Sequence, residues 1–171
     1  SLTIRTDPYP EILRQTTGYT GFAGINEGRN DLIMPKSAWD NSLLRSFSES
    51  NHAPPWCFGE MLYHYEGQAG KKMGNVQTMI WSKSREPAAI MEAVRAGRFY
   101  ARRNDETQRL KLETWQASGG LSGEHARAMT PQVPICLAVS SSIPGTRLDV
   151  KVLRNGIPIR EETLEAPFKL E

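Results

Sequence analysis

The clearest helical pattern lies in the first third of the chain. Its large apolar residues recur at the helical spacing and form one stripe: Trp39, Leu43, Leu44 and Phe47. Ser37 precedes the stripe as a candidate N-cap, and Asp40 lies three residues later as an acidic variant of the capping box. The pattern predicts an amphipathic helix over residues 38–48.

An apolar segment before this helix, residues 19–25, is rich in aromatic and β-branched residues but contains Gly21 and Gly24. Glycine inside a strand often marks a place where another part of the structure comes very close. We therefore predict a strand that a neighbouring element packs against closely.

Residues 76–102 predict a strand, a helix and a second strand. The first strand, residues 76–81, is apolar on both faces, which is typical of a sheet covered by helices. Pro87 suits the first turn of the helix, and Gly97 can end it. Residues 98–101 then have the composition of another strand.

The later pattern is that of antiparallel strands. Apolar and polar residues alternate over residues 110–115, as in a half-buried strand, and residues 135–139 and 148–153 predict two more strands. Asn155-Gly156 follows the last of these and precedes another apolar segment, which is a strong signal for a β-hairpin.

This order of elements predicts an α/β or α+β fold in three parts. Residues 1–116 form a segment of interleaved strands and helices. Residues 117–132 are rich in glycine and serine and predict a linker or loop. Residues 133–171 form a small antiparallel β extension.

Composition adds limits to this picture. The chain has 171 residues, of which 39% are hydrophobic and 23% charged, as expected for one globular domain with or without a small appendage. A net charge of +2 argues against nucleic acid as the partner. Two cysteines, Cys57 and Cys136, favour free thiols over a single disulfide. No apolar run reaches the roughly 20 residues of a membrane helix, and no signal peptide is recognisable, so we expect a cytoplasmic protein without a membrane partner.

The main cluster of candidate metal ligands is residues 58–67, which contain two carboxylates, an imidazole and two tyrosines. Glu60 and His64 would share a face on a helix, whereas His64 and Glu66 would share a face on a strand. Either arrangement could give two ligands to zinc, manganese or iron. The alternative is a surface loop with an ordinary histidine. Further ligands could come from His52 or Glu27.

A basic set, interleaved with Phe99 and Tyr100, predicts phosphate recognition. The set comprises Arg95, Arg98, Arg102, Arg103, Arg109 and Lys111. Guanidinium groups form bidentate hydrogen bonds to phosphate. The candidate phosphate-binding residues are Arg98, Arg102 and Arg103. The alternative is a solvated face, because Glu92, Asp105 and Glu106 lie close in sequence.

Residues 86–102, with the sequence EPAAIMEAVRAGRFYAR, resemble the late helix–turn–strand of the polymerase and histidinol phosphatase (PHP) family of metal-dependent phosphoesterases. The resemblance covers roughly residues 8–105, and residues 97–100 are its most specific part. It implies a partial segment of a distorted barrel of strands and helices, a divalent metal cluster, and hydrolysis of a small phosphorylated substrate by metal-bound water. Residues 133–171 are similar to the β extension that follows this core in some bacterial relatives.

The chain departs from the family pattern at the metal ligands. It contains no His-x-His pair. At the later Asp-x-His position His64 matches the histidine, but Leu62 stands where the aspartate belongs and Glu60 is displaced by two residues. A complete site would therefore need an N-terminal part of the same protein outside this chain, or else the site has decayed.

Three functions follow from the sequence. The first is the C-terminal segment of a PHP-like metal-dependent hydrolase, incomplete or inactive by itself. The second is a non-catalytic binding or structural domain of a larger protein. The third is a phosphate or nucleic-acid contact through the basic residues between 95 and 111.

Overall fold

The computed structural model describes residues 12, 15–28, 31–48, 54–69, 71–104 and 108–171. These residues form ten strands, two α-helices and one 3-10 helix. The strands are β1 (Gly21–Ile25), β2 (Trp56–Gly59), β3 (Val76–Ile80), β4 (Phe99–Arg103), β5 (Leu110–Ala117), β6 (Gly120–Leu121), β7 (Ile135–Ser141), β8 (Thr146–Arg154), β9 (Ile157–Ala166) and β10 (Phe168–Leu170). The helices are α1 (Ala38–Ser48), α2 (Pro87–Arg95) and the 3-10 turn Asp31–Ile33.

The strands form four small sheets. Strands β1 and β2 pair in parallel, and β3 pairs with β4 in an antiparallel arrangement. The largest sheet has four strands in the order β10-β7-β5-β6, and all of its pairings are antiparallel. Strands β8 and β9 form a long antiparallel hairpin. The four-stranded sheet therefore joins β5, which lies almost entirely in the predicted 1–116 segment, to β7 and β10 of the predicted extension.

The predicted α/β or α+β fold, with a partial PHP-like barrel, is wrong. Strands make up 40% of the described residues and helices only 16%, and most of the sheets are antiparallel. A barrel of alternating strands and helices needs crossover connections between parallel strands. Helix α2 does not make such a crossover, because the two strands that it connects, β3 and β4, pair directly with each other and run antiparallel.

Several individual elements are confirmed. Helix α1 has the predicted bounds, and the strand–helix–strand order over residues 76–102 is observed as β3, α2 and β4. The predicted hairpin is also present, since Asn155 and Gly156 have φ angles of 53° and 72° and connect β8 to β9. Two positive φ angles are what a type I′ turn, one of the two common two-residue hairpin loops, requires.

Burial differs from the sequence pattern in two elements. Helix α1 buries Ala38 and Ser42, while Phe47 from the predicted apolar stripe is 68% exposed. Strand β3 is buried at Val76 but only half-buried or exposed over the rest of its length, so it is not covered on both faces. Small sheets with few helices cannot cover every apolar residue that the sequence supplies.

The predicted close approach to the glycine-containing strand is confirmed. A Cβ atom added at Gly24 would lie 2.7 Å from Ile33 Cγ2 and would also collide with the Cys57 side chain. Cys57 and Cys136 are both free thiols, as the sequence favoured. Burial raises the pKa of the Cys57 thiol to about 11, so it behaves as a core residue and stays protonated at neutral pH.

Side chains on β2 tie the small sheets together. Phe58 stacks on Phe99 of β4 with ring centroids 4.6 Å apart. The indole N–H of Trp56 donates a hydrogen bond of 3.0 Å to the carbonyl of Arg95, at the end of α2. Gly59 N–H donates to Thr78 Oγ1 on β3 over 2.9 Å. Strand β2 thus holds the β3–α2–β4 unit against β1.

Within the described part of the chain, neither helix is long and apolar enough to cross a membrane.

Candidate anion-binding site

The three predicted metal ligands lie in a segment without regular structure between β2 and β3. Glu60, His64 and Glu66 are all exposed. Because the segment is neither a helix nor a strand, the shared faces that the sequence predicted do not form. Glu66 accepts a 2.5 Å hydrogen bond from the hydroxyl of Tyr63, and this bond raises the pKa of Tyr63. The backbone N–H of His64 donates to Gln68.

The described residues do not form a metal site by themselves. They contain no group of three or more histidine, cysteine, aspartate or glutamate side chains that could hold an ion, although three protein ligands are the usual minimum for catalytic zinc. His52 lies outside the described residues. Glu27 forms an ion pair with Lys71.

The three candidate phosphate-binding arginines are not brought together. Arg98 forms an ion pair with Glu92 over 2.6 Å, which lowers the pKa of that carboxyl group. Arg103 donates to the carbonyl of Asn26. Arg102 alone among the three lines a basic pocket, near the open end of the β3–β4 pair.

This pocket, called the arginine pocket below, has a volume of about 320 Å³. Its wall comes from the turn before β3, the adjoining ends of β3 and β4, and the residue that precedes β5. It is lined by Lys72, Gly74, Asn75, Gln77, Arg102, Asn104 and Arg109. Antiparallel pairing of Val76 with Arg103 brings the turn and the end of β4 together, although they are far apart in sequence.

A hydrogen-bond network fixes the floor of the arginine pocket. The Nε and Nη2 groups of Arg102 donate to Gln77 Oε1 over 3.0 and 2.6 Å, and Nη1 donates to the carbonyl of Leu110 over 2.7 Å. Asn104 Nδ2 donates to Gln77 Oε1 over 3.0 Å and to the carbonyl of Gly74 over 2.8 Å. The pocket is therefore built by side chains whose positions are determined before any ligand arrives.

The charge of Arg102 and Arg109 is not neutralised by a carboxylate among the described residues. Arg102 is half-buried and bonds only to neutral oxygens. Arg109 is exposed, and its backbone is held by two hydrogen bonds to Ser142 of 2.9 and 3.0 Å. Its guanidinium forms no hydrogen bond or ion pair within the described residues. Two guanidinium groups at one pocket give it a positive potential that favours an anion.

The buried side-chain oxygen of Asn104, Oδ1, has no hydrogen-bond donor among the described residues. A buried acceptor without a donor costs about 1–3 kcal/mol. A ligand that brings a hydroxyl group to this edge of the pocket would remove that cost.

Sequence reasoning identified Arg102 and Arg109 in the basic set but missed Lys72, Gln77 and Asn104. The missing information was the pairing of β3 with β4, which places the 72–75 turn beside the residues after β4. A prediction that β3 and β4 pair directly with each other, as in a hairpin, would have placed these polar residues at the same end of the strand pair.

Comparisons of the chain with family models, with curated proteins and with solved structures give no match.

Proposed function

We propose that this chain is a binding module that holds a small phosphorylated ligand in the arginine pocket. The observation that carries the proposal is that two arginines at one preformed cavity have no carboxylate partner among the residues that the structure describes. Guanidinium is suited to phosphate because its N–H groups are arranged to meet two oxygens at once.

The lining of the pocket supports binding more than catalysis. The described residues around it include amides, guanidinium groups and an amine, but no carboxylate, imidazole or thiol that could act as a general base or nucleophile. The volume of about 320 Å³ suits a small molecule. The net charge of +2 gives little attraction for a long polyanion such as nucleic acid. A cytoplasmic location is part of the same proposal, and the two free thiols support it.

The test is calorimetric titration of the chain with inorganic phosphate and with glycerol 3-phosphate. Arg109→Gln is expected to weaken the binding of both by about tenfold, because it removes one charge-assisted contact. Stability should not change, since the Arg109 side chain has no partner among the described residues. Arg147→Gln is the matched control, because Arg147 is also exposed but does not line the pocket. Equal weakening by both substitutions, or no binding of either ligand, would contradict the proposal.

A second candidate function is the C-terminal segment of a metal-dependent phosphoesterase-like hydrolase. The observation that favours it is the sequence EPAAIMEAVRAGRFYAR, whose helix, Gly97 and following strand are present as α2 and β4. The arginine pocket would then hold the phosphate group of the substrate. The remaining metal ligands would come from residues outside this chain.

This candidate predicts that His64 contributes to a divalent metal site. In equilibrium dialysis with zinc, manganese or ferrous iron, His64→Ala is expected to lower the affinity for at least one of these ions by about tenfold, as loss of one ligand should. His125→Ala is the matched control, because His125 is an exposed histidine in a different loop. The hydrolase candidate fails if neither substitution changes metal binding, or if both change it equally.

A further inference from the structure

A second cavity lies at the other end of the β3–β4 pair, and it is built around two tryptophans. Trp81 follows β3, and its backbone N–H donates to the carbonyl of Arg98 over 2.8 Å. Trp115 lies on β5. The cavity between these elements has a volume of about 260 Å³ and is called the indole pocket below. Because Ile80 pairs with Phe99 at this end and Val76 with Arg103 at the other, it is separate from the arginine pocket.

The aromatic wall of the indole pocket is held in place by its neighbours. The ring of Trp81 packs against that of Tyr100 with centroids 5.1 Å apart and planes inclined by 42°. The hydroxyl of Tyr100 in turn accepts a hydrogen bond of 3.3 Å from the backbone N–H of Leu112 on β5. The position of one indole face is therefore determined by both β4 and β5.

The two indole N–H groups at this pocket differ from the other two in the chain. The indole N–H groups of Trp39 and Trp56 each donate a hydrogen bond of 3.0 Å to a backbone carbonyl. Among the described residues, those of Trp81 and Trp115 have no acceptor, and the side-chain amide of Gln116 is likewise without a partner. These polar groups are available to a ligand at the edge of an apolar surface.

The charged side chains of the indole pocket are already paired. Arg98 forms an ion pair with Glu92. Glu113 forms an ion pair with Lys111 over 2.6 Å and accepts a hydrogen bond of 2.7 Å from the hydroxyl of Ser140. The pairing with Lys111 lowers the pKa of Glu113, so this carboxylate remains ionised and can accept further hydrogen bonds. Arg98 would repel a bound cation, and Glu113 would repel a bound anion. The pocket thus suits a neutral ligand.

From this arrangement we propose that the indole pocket binds one neutral pyranose ring of a carbohydrate. A pyranose has an apolar C–H face that packs on an indole ring and hydroxyl groups around its rim that both donate and accept hydrogen bonds. The rim of this pocket supplies both kinds of partner: Glu113 accepts, the indole N–H groups donate, and Gln116 does both. The cavity lies below the range of about 300–1,000 Å³ that is usual for larger ligands, which fits a single ring.

The experiment follows tryptophan fluorescence and calorimetric heat while the whole chain is titrated with methyl glucoside, methyl galactoside, cellobiose and maltose. At least one of these sugars is expected to bind. Trp115→Ala should weaken its binding by at least about tenfold through loss of stacking area. Gln116→Ala should weaken it by about fivefold without lowering the melting temperature, because its side chain has no partner among the described residues. Tyr65→Ala is the matched control, since Tyr65 is 65% exposed and lies outside the pocket.

Adenosine and tetramethylammonium are titrated in parallel as a planar base and a cation. The proposal is overturned if none of the four sugars binds, or if Gln116→Ala and Tyr65→Ala have the same effect. It is also overturned if adenosine or tetramethylammonium binds more tightly than every sugar and loses affinity in Gln116→Ala, because the pocket would then select another class of ligand. Phosphate binding at the arginine pocket is unaffected by these outcomes, so the two proposals fail independently.

Discussion

Replacing Gly97 with alanine is expected to lower the free energy of unfolding by about 3 kcal/mol, as the sum of backbone strain and overpacking. Gly97 has a φ angle of 71°, which is unfavourable for a residue with a side chain. An added Cβ atom would also lie 2.6 Å from two atoms of the Trp56 indole. That ring cannot easily move away, because its N–H group is hydrogen-bonded to the carbonyl of Arg95.

The matched control for Gly97→Ala is Gly119→Ala. Gly119 has a similar φ angle of 80°, but no atom lies within 4 Å of the position of an added Cβ. This control is expected to cost about 1 kcal/mol, from backbone strain alone. The difference between the two variants, measured by urea unfolding followed by circular dichroism, isolates the contact with Trp56. Equal losses in the two variants would show that the indole does not restrict this position.

The contact between Gly97 and Trp56 also shows where sequence reasoning reaches its limit. The glycine after α2 is evident from local rules, since a left-handed residue commonly ends a helix. Its second role, leaving room for an indole 41 positions earlier in the chain, depends on packing that no local pattern contains. Local signals likewise predicted α1, the β3–α2–β4 order and the Asn155-Gly156 hairpin, because caps, turns and alternation act over a few residues.

The fold class could not be predicted in the same way, because it depends on how strands pair. The sequence of β3 and β4 is compatible with parallel strands in a barrel or with the direct antiparallel pairing that is observed. The candidate site shows the same limit. Arg102 was identifiable by residue type, but its partner Gln77 lies 25 positions earlier and was not. Nothing in the sequence pattern distinguished Arg102 from Arg98, although Arg98 forms an ion pair with Glu92 in the structure.

Arg102 is the residue for which we expect the largest effect on ligand binding. Arg102→Met keeps most of the aliphatic stem but removes the guanidinium group. Phosphate affinity is expected to fall by about a hundredfold, because a half-buried cation that can present two N–H groups to one ligand is lost. Three of the five guanidinium N–H groups bond to Gln77 and Leu110, and the other two have no acceptor among the described residues.

Arg102→Met is also expected to lower the free energy of unfolding, by about 1–3 kcal/mol, because the carbonyl of Leu110 loses its guanidinium donor and Oε1 of Gln77 keeps only Asn104 Nδ2 as a donor. Arg102→Lys separates the loss of the positive charge from the loss of the guanidinium hydrogen bonds. Lysine keeps the positive charge but cannot reproduce the fork that holds Gln77, so we expect a phosphate affinity between those of the wild type and Arg102→Met. Calorimetric titration with inorganic phosphate and urea unfolding of the same samples measure both quantities.

The control for the Arg102 substitutions is Arg147→Met, which removes an exposed arginine of β8 that does not line the arginine pocket. It should change neither stability nor phosphate affinity by more than a small amount. Raising the ionic strength should weaken phosphate binding to the wild type more than to Arg102→Met, because the charge that salt screens is already absent from the variant. If Arg102→Met retains its circular dichroism spectrum and binds phosphate as the wild type does, Arg102 has only a structural role, and the arginine pocket does not recognise its ligand through that guanidinium.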